Sequence, residues 1–80
     1  MDTYRTNILN MLPEIQILYQ NQRISKEKKD ELINLMKTGV ENISDRIRLG
    51  EQISGLLKIE MDPVFINAYQ NILQYITIQK

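Results

Sequence analysis

From Ile33 onward, apolar and small residues return at alternating steps of four and three: Ile33, Met36, Val40, Ile43, Ile47, Gly50, Ser54 and Leu57. Steps of that kind keep side chains on one stripe of an α-helix. Leu32 and Leu35 widen the stripe near one end and Leu49, Ile53 and Leu56 near the other, while Asn42 and Arg46 interrupt the widened flank midway. Ser25 stands just before Lys26-Glu27-Lys28-Lys29-Asp30-Glu31-Leu32, so a capping hydroxyl precedes a run of mostly strong helix formers. The unbroken phase predicts a single long helix over residues 26–60. At 1.5 Å per residue it would be a spine of about 50 Å.

A competing reading comes from Thr38-Gly39, followed by Asn42 and Ser44. Glycine in the left-handed conformation ends many helices, and Asn or Ser begins them. A break near Gly39 would turn the same stretch into two helices of ordinary length and the domain into a four-helix bundle.

The flanking segments carry the same period. Tyr4, Ile8, Met11, Ile15 and Leu18, joined by Leu12 and Tyr19, predict a helix over about 3–22, capped by Asp2 or Thr3. Pro13 removes an amide and crowds the carbonyl of Leu9, so a kink is expected there. Asn21 to Ile24 is a short polar connector, which makes the helices on either side antiparallel neighbours. Asp62-Pro63 is a helix start, with the cap residue followed by a proline at the first helical position. Phe65, Tyr69, Ile72 and Ile76, flanked by Ala68, Leu73 and Tyr75, then predict a helix over about 63–79. The expected fold is an all-α helical bundle in one domain, residues 1–80, with three helices and a long central one. Two half-length arms would leave the middle of such a spine uncovered. Val40, Ile43, Ile47, Gly50 and Ser54 are therefore the expected seam of a homodimer.

Composition narrows the chemistry. Ten Lys and Arg balance ten Asp and Glu, so the chain has no net field of the kind that draws a protein to nucleic acid or an anionic surface. Histidine, cysteine and tryptophan are absent, which removes the commonest metal ligands, general bases and nucleophile partners. Carboxylates one turn apart, Glu27 with Glu31 and Glu41 with Asp45, lack the Glu-x-x-His companion of helical di-metal proteins and read as a solvated face. Neither a catalytic residue nor a cofactor or metal site is expected. With no cysteine framework and no signal-type apolar run after Met1-Asp2-Thr3-Tyr4-Arg5, the expected compartment is cytoplasmic. The uncharged stretch from Pro63 to Gln79 is too rich in Asn and Gln to span a membrane.

Charge placement is the most informative feature. Outside the stretch from Arg23 to Asp62, only Asp2, Arg5, Glu14 and Lys80 are charged. The last helix presents Asn67, Gln70, Gln74 and Thr77 opposite its apolar face, groups that can be buried without the cost of desolvating a full charge. Gln70, Gln74, Thr77 and the aromatic Tyr75 are thus the candidate partner-binding residues. These features imply a non-enzymatic protein-protein interaction module, an adaptor, inhibitor or chaperone that also associates with itself. The alternative is a small dimeric nucleic-acid-binding regulator using the basic cluster Arg23, Lys26, Lys28 and Lys29.

Overall fold

The computed structural model describes residues 3–77, with side chains from Tyr4 to Ile76. The chain is all-helical over this range, in four helices: α1 (Thr3–Gln20), α2 (Lys26–Thr38), α3 (Ile43–Ile59) and α4 (Pro63–Thr77). Each packs on two neighbours around a ring, α1 on α2 and α4, and α3 on α2 and α4. The molecule measures 34 × 23 × 19 Å. The long central helix expected over 26–60 is therefore not formed; the four-helix bundle with a break at Gly39 is.

The break has a local cause. Gly39 closes α2, its amide bonding to the Leu35 carbonyl at 2.8 Å, and the next residues turn through bonds from Glu41 and Asn42 to the Thr38 carbonyl. Asn42 then adopts an extended conformation, and its side chain accepts from the amides of Ser44 at 2.9 Å and Asp45 at 3.3 Å, capping α3. Gly39 is not left-handed as the sequence suggested; its φ is −64°. It is needed for space instead. A Cβ at this position would lie 2.9 Å from both the Leu35 carbonyl oxygen and the Tyr4 hydroxyl, and 3.3 Å from the Arg46 Cα.

Other boundaries follow their signals. The Ser25 hydroxyl accepts from the Lys28 amide at 3.0 Å, and Asp62 accepts from the Val64 amide at 2.9 Å, ahead of Pro63. α1 runs through Pro13 without a break, and Leu9, whose carbonyl loses its usual donor, is exposed there. α1 ends in a Schellman arrangement, with Arg23 N–H bonded to Leu18 O at 2.8 Å and Gln22 N–H to Tyr19 O at 3.0 Å. Gln22 supplies the left-handed residue, with φ of 62°.

The core is Tyr4, Met11, Ile15 and Leu18 from α1, Leu32, Leu35 and Met36 from α2, Leu49 and Ile53 from α3, and Ala68, Tyr69, Ile72 and Ile76 from α4, with Ile24 from the first connector. In α1 and α4 these largely match the periodic positions, whereas in α2 the flank residues Leu32 and Leu35 are buried beside Met36 and the periodic Ile33 is half-buried. In α3 they do not match those positions. There the buried stripe is Leu49 and Ile53, the residues that had read as the flank, while Ile43 and Ile47 face outward. Once the chain turns at Gly39, α3 is free to choose its face independently of α2, and it buries the one that meets both α2 and α4.

Helix ends are satisfied across the bundle. The buried Tyr4 hydroxyl donates to the Met36 carbonyl in the last turn of α2, and the Asn7 side-chain amide donates to the Tyr75 carbonyl in the last turn of α4 at 3.2 Å. The Met36 carbonyl is among the terminal carbonyls that a helix cannot satisfy internally. Asn71 donates to Glu14 at 3.3 Å and further ties α4 to α1.

Candidate functional site

The outward rotation of α3 opens a groove between α3 and α4, with a volume of about 700 Å³. Ile43, Ile47, Gly50 and Ser54 form its α3 wall, Leu73 and Ile76 its α4 wall, and Arg46, Glu51 and Lys58 its charged margin. Ile43 is 61% and Ile47 57% exposed. Four of the five residues expected at a homodimer seam thus lie together on this surface. Val40 does not; it sits in the α2–α3 connector, half-buried against the core.

The residues expected to bind a partner divide differently. Gln70 and Gln74 are exposed, and Gln70 is a helix-surface neighbour of Leu73, three residues on, at the margin of the groove. Tyr75 is half-buried and packs against the core. The Thr77 side chain lies outside the described residues.

Sequence reasoning placed Leu73 and Ile76 only in or beside the core and missed them as a groove wall, because periodicity reports which side of a helix is apolar and not where two helices diverge. It also missed Ile59, Met61 and Val64, which are exposed together around the α3–α4 turn. Their apolar character on both sides of Asp62-Pro63 was the available signal.

Glycine use along α3 adds a constraint. Gly50 and Gly55 both lie within the helix, and a Cβ at either would meet nothing within 4 Å. Neither has a positive φ. A mid-helix glycine costs about 0.5–1 kcal/mol relative to alanine, and nothing inside the bundle requires it here.

The basic cluster is engaged by nearby groups. Arg23 donates from Nε to Glu60 Oε1 at 3.2 Å and lies over the Phe65 ring at 4.8 Å. The bond to Glu60 raises the Arg23 pKa and lowers that of the carboxyl. Lys26 pairs with Asp30 at 3.1 Å, which raises the lysine and lowers the aspartate. Lys28 reaches Glu31 and, at 2.6 Å, the Gln52 side chain of α3. Lys29 approaches Asp30 and lies over the Tyr19 ring. Of the paired carboxylates, Glu31 is bound to Lys28 and Glu41 lies 3.6 Å from Arg5. Among the described residues no group of three acidic side chains gathers as a metal site.

No family model, curated protein or solved structure matches the chain. Among the described residues, no helix is long and apolar enough to cross a membrane.

Proposed function

We propose that the chain is a non-enzymatic, cytoplasmic protein-protein interaction module that self-associates, with the α3–α4 groove and the adjoining amide face of α4 as its contact surface. The observation that carries this reading is the exposure of Ile43 and Ile47 along an apolar groove, whereas the other periodic aliphatic positions of the described residues are buried or half-buried. Apolar surface of this kind, bordered by amides and isolated charges, has the composition of a protein contact. An adaptor, an inhibitor and a chaperone would all use such a surface.

The competing reading, a nucleic-acid-binding regulator, rests on Arg23, Lys26, Lys28 and Lys29. Each of these cations has an acidic neighbour, which reduces the net charge available to release counterions from a phosphate backbone. Duplex DNA binding that is tight and steeply salt-dependent would restore it.

The test of the interaction reading uses residues outside the core. Gln70→Lys with Gln74→Glu should leave the helical circular dichroism and melting temperature unchanged and weaken capture of a protein partner from the native host, since unpaired charge in a buried contact is costly. Unchanged capture, combined with loss on the same kind of change at Asn10 or Ile17 of α1, would move the contact surface to α1.

A further inference from the structure

The break between α2 and α3 is concentrated at Asn42. Gly39 is helical, with φ of −64° and ψ of −12°, and no residue of the connector has a positive φ. The Asn42 amide still donates to the Thr38 carbonyl four residues back, at 3.0 Å, and the Asn42 carbonyl accepts from the Arg46 amide four residues on, at 3.2 Å. Asn42 itself is extended, with φ of −124° and ψ of 108°. Helical values there would run α2 straight into α3, and the backbone would lose no bond. The amides of Ser44 and Asp45, now held by the Asn42 side chain, would pass to the carbonyls of Val40 and Glu41 in the ordinary helical pattern. The Gly39 carbonyl, now held by the Arg46 side chain, would pass to the Ile43 amide.

A straight connector carries α3 and α4 away from α1 and α2, so the buried sides of α2 and α3 must then face one way to be covered together. They do. Leu35 and Leu49, both buried, stand two heptads apart, which places them within about 40° of each other on a continuous helix. Leu32 and Ile53, also buried, are three heptads apart on the same side. The closed turn leaves the rotation of α3 free and does not require this coincidence. We propose that two copies of the chain exchange halves through this connector, α1 and α2 of each completing the bundle of the other. Each bundle keeps its ring of helices: α1 on α2 and α3 on α4 stay within a chain, while α1 on α4 and α2 on α3 form between chains. The bond from Lys28 to Gln52 and that from Asn7 to the Tyr75 carbonyl are then made between copies. The surface uncovered by opening is the core itself, which a second copy of the same chain fits. The α3–α4 groove belongs to one half and stays open, so this route to self-association goes beyond the groove contact and is independent of it.

Refolding the full chain at about 1 mM, where pairing competes with closure, should give a dimer fraction separable by gel filtration. Asn42→Ala removes the cap that holds the turn and supplies a better helix former. It should raise the association constant at least tenfold, or about 1.4 kcal/mol. Ile43→Pro should act the other way and refold only as monomer, because proline suits the first position of α3 after an extended residue and breaks a helix running through it. The chain has no cysteine, so Lys28→Cys combined with Gln52→Cys reports which chains share a bundle. A short bismaleimide should link two chains in the isolated dimer and the two cysteines of one chain in the monomer. Asn42→Ala that folds but stays monomeric at the same concentration overturns the exchange. So does a dimer in which the linker joins cysteines of one chain, a result that returns self-association to the groove. Ile43→Pro that dimerises as readily as the wild type, with unchanged circular dichroism, overturns the straight connector. Failure of the exchange leaves the interaction reading standing, because partner capture by Gln70→Lys with Gln74→Glu is measured separately.

Discussion

Tyr4 and Met36 are 32 residues apart, and the hydroxyl of the first donates to the carbonyl of the second at 2.7 Å in the buried interior. The Arg46 guanidinium lies over the same tyrosine ring at 4.1 Å and donates to the Gly39 carbonyl. One residue from α1 and one from α3 thus finish the C-terminus of α2, and they do so where the chain must turn. Tyr4→Phe keeps the packing and leaves the Met36 carbonyl without this donor. The expected loss is about 1–2 kcal/mol in urea unfolding, and a variant as stable as the wild type would show that the bond contributes nothing net.

The same substitution at two glycines should have opposite signs. Gly39→Ala places a methyl 2.9 Å from the Leu35 carbonyl oxygen and the Tyr4 hydroxyl, and should destabilise by about 1–3 kcal/mol as the backbone shifts. Gly50→Ala meets open space and should stabilise the monomer by about 0.5–1 kcal/mol through helix propensity. Thermal unfolding of both at a low, fixed protein concentration checks the pair.

Gln22 holds a left-handed conformation that L side chains adopt at a cost. Gln22→Gly should therefore raise stability by about 0.5–1 kcal/mol, with the bond from the Arg23 amide to the Leu18 carbonyl retained. Denaturant midpoints measured at constant m-value provide the comparison. A fall in midpoint would mean that the Gln22 side chain makes up for its backbone.

Glu60 joins the two connectors at one end of the bundle, accepting from Arg23 and from the amides of Met61 and Asp62. Those bonds hold its carboxyl below the ordinary value. Being depressed in the folded state, the group contributes stability that is fully present above the unfolded glutamate pKa of about 4.3. That contribution is lost as the pH falls through the lower folded value. Glu60→Gln should accordingly lower the melting temperature at neutral pH and flatten its decline in acid. Asp30, depressed by its bond to Lys26, adds a component of the same sign, so the decline should flatten without vanishing.

Much of the architecture was legible in the chain. Ser25 and Asp62-Pro63 begin helices because their side chains, or the lack of an amide, suit the first turn wherever it occurs. The periodic positions of α1 and α4 became core for the same local reason. The continuous phase through Val40 and Ile43 misled, because phase is a property of one helix and does not register a turn. The bonds at Gly39 and Asn42 make the turn locally, and Tyr4 and Arg46, which only the fold brings against it, add tertiary contacts to it.

The groove shows the same division. That Ile43, Ile47, Gly50 and Ser54 share a stripe follows from helical spacing alone. That the stripe faces outward, with Leu49 and Ile53 buried in its place, was decided by packing. α3 has to meet α2 and α4 at once, and the face that satisfies both is fixed by where those helices lie, which no local pattern within α3 encodes.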